Sequence, residues 1–225
     1  MKDLLSFSIV ALSAIFFVVD PPGIVPIFIA MTSGDTEAKK KDMALRASVV
    51  AFGILTVFAL FGGVIFKVFG ITLGAFKVAG GILLLITALD MLKAQPSRTR
   101  SSPDEQLEGA VKDDVAIVPL GMPLLAGPGA IATVMVLVSR GKDWSYVIPV
   151  LGSVLITCVV TYLVLRAAGH IDRVLGKSGL AILQRVMGLL LAAIAIQFAA
   201  DGIKELIPSL GRPISALLHP WVVAA

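Results

Sequence analysis

Two adjacent prolines interrupt a long apolar run near the start of the chain. Residues 18–26 read Val-Val-Asp-Pro-Pro-Gly-Ile-Val-Pro, within an apolar run that extends over residues 4–31. Proline lacks a backbone N–H and its ring clashes with the preceding helical turn, so one continuous helix is disfavoured here. An aspartate followed by proline is typical of a helix N-cap and first helical position. The sequence therefore predicts one helix that ends near Val19 and a second that begins at Asp20.

The composition assigns the chain to the membrane proteins. Apolar residues make up 57% and charged residues 15% of the sequence, and the mean hydropathy is +0.97. The apolar runs are too many and too long for one globular core, and they lack the short alternating pattern of a β-barrel. The fold class is therefore an all-α polytopic membrane protein. Irregular backbone at membrane depth is tolerated only where it is buried in protein or lines a cavity, so the break at Asp20 is a candidate site.

A second proline- and glycine-rich break lies in the other half of the chain. Residues 119–130 read Pro-Leu-Gly-Met-Pro-Leu-Leu-Ala-Gly-Pro-Gly-Ala and precede another apolar run. Superposing Pro22 on Pro128 also superposes Gly70 on Gly176. Interrupted apolar segments at corresponding positions of two halves are the best sequence indication of a transporter's substrate site. We therefore predict that helices 1 and 4 of the membrane domain are discontinuous.

The apolar runs form two groups of three, separated by a polar segment without apolar periodicity. Residues 1–93 are predicted to form a first three-helix repeat, residues 94–114 a cytoplasmic linker, residues 115–207 a second three-helix repeat, and residues 208–225 an interfacial C-terminal tail too short to span. The predicted spans cover residues 4–31, residues 43–66, a third stretch ending near Leu92, and residues 115–139, 146–167 and about 180–207.

The distribution of lysine and arginine among the loops predicts the orientation. Cations are more numerous in the loops that are cytoplasmic when both termini lie outside the cytoplasm, so that orientation is favoured. Each half has an odd number of spans, and the two halves therefore have opposite orientations, which defines an inverted repeat. Cations flanking the spans account for the net charge of +4, and no nucleic-acid partner is expected. His170 and His219 have no metal-ligand or catalytic spacing, so we expect no enzyme activity, no metal and no cofactor.

Both breaks resemble signatures of a known family. The stretch Asp20-Pro21-Pro22-Gly23-Ile24-Val25-Pro26-Ile27-Phe28 resembles the first signature of the MarC family of bacterial and archaeal inner-membrane proteins. Residues 119–131 resemble the second, and the end of span three, Ala88-Leu89-Asp90-Met91-Leu92, is also similar. The resemblance implies six spans in a three-plus-three inverted repeat, a location in the cell inner membrane, and transport of small neutral amino acids such as glycine and alanine. Other members often carry asparagine at the position of Asp20.

Helix breaks offer both kinds of partner that a zwitterionic amino acid needs. Half-helices that start at Gly23 and Gly129 present free N–H groups and positive dipole ends to a carboxylate. Carbonyls left unpaired before each break accept hydrogen bonds from an ammonium group. Thr133, one turn after the second break, adds a hydroxyl. The predicted substrate-binding residues are Asp20, Pro22, Gly23, Ile24, Gly127, Pro128, Gly129, Ala130 and Thr133.

Asp20 has two interpretations. As an N-cap it satisfies only its own helix; as an ionisable group near the midplane it pairs with the substrate's ammonium or carries a coupling proton. The expected function is secondary transport of small neutral amino acids by alternating access, coupled to a proton or a sodium ion. The alternatives are an exporter or pore for another small neutral metabolite, and a non-transporting membrane scaffold.

Overall fold

The computed structural model describes residues 2–93, 116–139 and 144–207, and all regular structure in these ranges is helical. The predicted linker and the predicted C-terminal tail lie outside the described residues. The helices are α1 Lys2–Val19, α2 Pro21–Met31, α3 Glu37–Phe69, α4 Leu73–Leu92, α5 Ala116–Leu125 with a π-helical backbone, α6 Pro128–Ser139, α7 Trp144–Arg166 and α8 Ala168–Leu206.

Within the described ranges, five helical stretches are long and apolar enough to cross a membrane. They are Leu4–Met31, Glu37–Phe69, Leu73–Leu92, Ser145–Arg166 and Ser178–Leu206. Helix α6 is also apolar but has only 12 residues. The predicted class, an all-helical protein with several membrane spans, agrees with this arrangement.

Helix α3 starts earlier than the hydropathy indicates. The sequence predicts a span from residue 43, whereas the helix begins at Glu37. Thr36 caps it, because its Oγ1 accepts a hydrogen bond from the N–H of Lys39 at 3.3 Å. Ion pairs one turn apart, such as Arg46 with Asp42 at 2.8 Å, stabilise the polar turns. The helix therefore extends beyond its apolar part into the polar segment predicted as a loop.

Two glycines at corresponding positions change the direction of the chain before the third span of each half. Gly70 ends α3 in the left-handed region at φ 64°. Gly176 lies inside α8 with φ 59° and ψ 179°, a conformation that is almost restricted to glycine. Helix α8 therefore consists of two parts joined at Gly176, and its second part corresponds to the predicted sixth span.

Helix α6 lies at the centre of the described part of the chain. Residues 132–137 are all buried, and six consecutive helical residues face every direction around the axis. Its neighbours are α1, α3, α4 and α7. A helix that is apolar all round needs such an environment, because no face of it is suited to water.

Helices α4 and α8 form the most extensive interhelical contact, and they run antiparallel. Gly74 lies against Gly202, Gly81 against Ala195 and Ala199, and Gly188 against Ala88 and Met91. Small residues at these points allow the two backbones to approach closely, as in other membrane helix pairs. At one end of the contact, the buried ammonium of Lys77 forms an ion pair with Glu205. The pair satisfies a charge that would be expensive to bury alone.

The remaining contacts occur in matching sets. Helix α2 packs against α7 and α8, and α6 packs against α3 and α4. Helix α1 packs mainly against α7, and α5 packs mainly against α3. Exchanging the first-half elements for the second-half elements therefore reproduces these principal contacts.

The glycine contact between α4 and α8 gives a test of this packing. A Cβ at Gly81 would lie 2.7 Å from the carbonyl oxygen of Ala195 and 2.8 Å from the amide nitrogen of Ala199, and backbone atoms cannot yield. We expect Gly81→Leu to destabilise the protein by about 2 kcal/mol or more through overpacking, as measured by thermal unfolding in detergent. Gly53→Leu is the control, since a Cβ at Gly53 meets nothing within 4 Å; equal losses in both variants would contradict the packing.

Candidate functional site

Asp20 separates α1 from α2 by adopting a left-handed conformation, at φ 55° and ψ 61°. Its N–H donates to the carbonyl of Phe16 at 2.9 Å, which completes the last turn of α1. Its carboxylate Oδ1 accepts a hydrogen bond from the N–H of Gly23 at 3.2 Å. Aspartate is one of the few residue types other than glycine that visit this conformation readily. One residue therefore ends one helix and caps the next.

The cap leaves little free donor capacity at the start of α2. Pro21 and Pro22 have no N–H, and the N–H of Gly23 is engaged by Asp20. Asp20 is 1% exposed, and its carboxyl group lies at the positive end of the helix dipole. The anion position of this half-helix is thus already occupied by a side chain of the protein.

Gly23 is required by the cap. A Cβ at this position would overlap the carboxylate of Asp20. The carbonyl of Gly23 accepts a hydrogen bond from Nε2 of Gln184 in α8, at 3.2 Å. The first break is therefore stabilised by two hydrogen bonds, one to the side chain of Asp20 and one from Gln184 in the other half of the chain.

The second break is built differently. The N–H of Ala126 donates to the carbonyl of Gly121 at 3.0 Å, continuing the π-helical spacing of α5 to its end. Gly127 follows and precedes α6, which begins with Pro128. The first turn of a helix has no intrahelical acceptors for its N–H groups, and Gly127 has no side chain that can supply one. The amides of Gly129 and Ala130 are therefore the backbone donors at the start of α6.

The two breaks lie next to each other. A Cβ at Gly129 would lie 3.7 Å from Cγ1 of Val18, at the end of α1, and 2.5 Å from Cδ2 of Leu84 in α4. A cavity of about 20 Å³ is found here, room for about one water molecule. It is lined by Val18, by Leu83, Leu84 and Thr87 of α4, and by Leu124, Leu125 and residues 127–130. None of the described residues in this lining has a charged side chain, and their polar groups are backbone groups and one threonine.

The structure brings together some of the predicted substrate-binding residues. Residues 127–130, the four predicted positions at the second break, line the cavity. The four predicted positions at the first break, Asp20, Pro22, Gly23 and Ile24, are not part of its lining. Thr133 is fully buried, and its hydroxyl donates to the carbonyl of Gly129 at 2.8 Å. Thr133 therefore stabilises the first turn of α6 and is not part of the cavity wall.

Two polar residues at the breaks were not predicted from the sequence. Thr87 lines the cavity and donates from Oγ1 to the carbonyl of Leu83 at 3.0 Å. Gln184 bonds the first break, as described above. Each is a polar residue inside an apolar span, which is the signal that could have identified it. The described residues contain no group of three or more His, Cys, Asp and Glu side chains that could hold a metal ion.

Comparison with known proteins assigns the family. The family model described as MarC family integral membrane protein matches residues 5–207. The UPF0056 membrane protein MJ1677 of Methanocaldococcus jannaschii is 40% identical over 89% of this chain and 97% of its own length. For YvbG of Bacillus subtilis the identity is 36%, over 91% of this chain and 98% of that protein. YhcE of Escherichia coli is 35% identical over 87% of this chain and 91% of its own length.

The chain therefore belongs to the MarC family and is an integral, multi-pass membrane protein. No solved structure matches it. These three relatives are named only as membrane proteins.

The cap at the first break gives a second prediction. We expect Gly23→Ala to displace the Asp20 carboxylate and to destabilise the protein by about 2 kcal/mol, the sum of a lost cap and local overpacking. Thermal unfolding in detergent measures the loss. Gly63→Ala is the matched control, because a Cβ at Gly63 meets nothing within 4 Å. If Gly23→Ala were as stable as the unchanged protein, the capping geometry would be wrong.

Proposed function

We propose that this protein is a secondary transporter of small neutral amino acids such as glycine and alanine. The observation that carries the proposal is the cavity between the two breaks, where Val18 at the end of α1 faces Gly129 at the start of α6. Backbone groups without helical partners are rare in membrane proteins outside binding sites and pores. Here the first residues of α6 line an internal space whose described wall residues carry no charge. Such a lining suits a small solute with no net charge.

The difference between the two breaks assigns the two ends of the substrate. The uncapped amides of Gly129 and Ala130, at the positive end of the α6 dipole, are the binding groups for the substrate carboxylate. The ammonium group is bound by carbonyl oxygens at the end of α5, and Thr87 lies in the same cavity wall. The start of α2 is already capped by Asp20 and is not used for the substrate. Only a small side chain fits between backbones this close.

We further propose that the fold is an inverted repeat with two discontinuous spans, α1 with α2 and α5 with α6. The matching sets of principal helix contacts support it, since the packing of α2 on α7 and α8 has its counterpart in the packing of α6 on α3 and α4. The antiparallel pairing of α4 with α8 is the arrangement that a twofold axis in the membrane plane requires. Gly70 and Gly176, superposed by the sequence repeat, both have positive φ. The proposed location is the inner membrane, with both termini outside the cytoplasm.

Alternating access follows from the size of the cavity. A space of about 20 Å³ holds one water molecule and is too small for alanine, so substrate entry requires the two halves to move apart. The α4–α8 contact is backbone against backbone and resists such separation. We propose that the halves rock about this contact and open the cavity to one side of the membrane at a time.

Counterflow in proteoliposomes tests the function. Unlabelled alanine inside the vesicles should accelerate the entry of labelled alanine, because a carrier exchanges substrate across the membrane. A pore would equilibrate labelled alanine without this acceleration, and a scaffold would admit none. Absence of counterflow with glycine, alanine and other small neutral amino acids would contradict the proposal.

The same assay identifies the site. Gly129→Ala adds a methyl group to the cavity wall, where the flexible end of Leu84 can move aside. We expect the variant to fold and to lose roughly tenfold or more of its alanine affinity, since the cavity is overfilled beside the amide that binds the carboxylate. Gly152→Ala, where a Cβ meets nothing within 4 Å, should transport normally. Equal transport by both variants would place the substrate elsewhere.

The role of Asp20 is tested by Asp20→Asn. Asparagine accepts the same capping hydrogen bond and tolerates the left-handed conformation, so substrate binding should persist. The amide cannot carry a proton, and the pH dependence of alanine transport should therefore change. Asp42→Asn, an exposed carboxylate in an ion pair, is the control. A pH profile of Asp20→Asn identical to that of the unchanged protein would refute the proton role.

A further inference from the structure

A second, larger hollow lies where α2 ends, α3 begins and α7 joins α8. Its volume is about 240 Å³. The polar side chains in its wall are Thr32, Ser33, Glu37, Lys40, Lys41 and Arg166. The hydroxyl of Thr32 is engaged, because it donates to the carbonyl of Phe28 at 2.7 Å. The hollow is therefore mainly a basic site at one end of the bundle.

The hollow carries excess positive charge. Glu37 neutralises Lys40 through an ion pair of 3.0 Å. Lys41 and Arg166 form no ion pair with any described residue. The guanidinium of Arg166 has instead a long hydrogen bond of 3.4 Å to the hydroxyl of Tyr162. Two cations thus remain for an anionic ligand.

An apolar groove continues from this hollow along the same two helices. Its volume is about 150 Å³, and its wall includes Leu45, Val49 and Phe52 of α3 and Leu155, Val159 and Tyr162 of α7. Leu45, Val49, Leu155 and Val159 are each about half exposed, so the groove is open to the surroundings of the bundle. The hydroxyl of Ser48, which also lines it, is satisfied by the carbonyl of Ala44 at 2.9 Å.

Two residue pairs join the hollow to the groove. Tyr162 lines the groove and bonds to Arg166, which lines the hollow. Lys41 lies one helical turn before Leu45 on α3, with the cation in the hollow and the leucine in the groove. A cationic pocket directly adjoining an open apolar channel matches a molecule with an anionic head and a hydrocarbon tail. Neither a soluble anion nor an apolar helix would use both parts.

We propose that this combined site binds one anionic phospholipid, with its phosphate between Lys41 and Arg166 and one acyl chain in the groove between α3 and α7. Basic pockets between membrane helices bind anionic head groups in this way. Since α3 belongs to the first half of the chain and α7 to the second, the bound lipid joins the two halves at the membrane surface. This site is independent of the proposed transport of amino acids.

Lipid-dependent thermal stabilisation of the purified full chain tests the proposal. Phosphatidylglycerol should stabilise the protein, and phosphatidylcholine with the same acyl chains should not. In Lys41→Gln/Arg166→Gln the apparent affinity for phosphatidylglycerol should fall on the order of thirtyfold, from the loss of two cations near the head group. Lys67→Gln/Lys204→Gln removes the same charge from exposed positions outside the hollow and should leave the affinity unchanged.

A bulky side chain tests the groove separately from the charge. Val159→Trp should fill the channel and weaken phosphatidylglycerol binding, whereas Ile148→Trp, at an exposed position of α7 outside the groove, should not. Soluble glycerol phosphate distinguishes a lipid site from an anion site. Three results would overturn the lipid assignment. Glycerol phosphate would stabilise the protein as well as phosphatidylglycerol does, or phosphatidylglycerol and phosphatidylcholine would stabilise it equally. The third is that Val159→Trp would change only the oligomeric state.

Discussion

Backbone amides and carbonyls that lose their helical partners inside an apolar environment must find other partners, and this requirement governs the breaks in the present chain. At the first break Asp20 completes α1 with its own N–H and caps α2 with its carboxylate, and Gln184 donates a hydrogen bond to the carbonyl of Gly23. A left-handed aspartate costs on the order of 1–3 kcal/mol. The cap and the surrounding burial compensate for this cost, because the alternative is a set of unsatisfied polar groups in an apolar core. The same cap requires glycine at position 23, because a Cβ there would overlap the carboxylate of Asp20.

The second break has no corresponding side-chain cap, and the proposed orientation of the substrate depends on this difference. Gly127 stands where a capping side chain would stand and cannot supply an acceptor to the first amides of α6. Helix α6 packs against four other helices, and its first residues line the cavity. A carboxylate of the protein caps the start of α2, whereas Gly127 offers no side-chain cap at the start of α6. On the proposed function, the carboxylate of the substrate takes this position at α6.

The parts of this arrangement that depend on local chemistry could be predicted from the sequence. Prolines and an acidic cap determine the bounds of the elements around Asp20, and the prolines and glycines of residues 119–130 predicted an interruption there. The sequence prediction placed the start of the second span at residue 43, whereas α3 begins at Glu37. Hydropathy does not detect the Thr36 cap or the ion pairs of the first turns. The π-helical form of α5 and the positions of Thr87 and Gln184 depend on contacts between distant segments. No local pattern encodes those contacts, so α4 and α8 were missing from the predicted site.

If the amides at the start of α6 bind the substrate carboxylate, alanine must perturb the amide of Gly129. Proline–glycine pairs occur only at 22–23 and 128–129, so labelling proline carbonyl carbon with ¹³C and glycine nitrogen with ¹⁵N selects just the amides of Gly23 and Gly129 in a filtered NMR spectrum. On titration with alanine, the Gly129 amide should shift strongly and saturably, while the Gly23 amide, engaged by Asp20, should move little. An unchanged Gly129 signal at saturating alanine, or a shift confined to Gly23, would contradict binding of the substrate carboxylate at the start of α6.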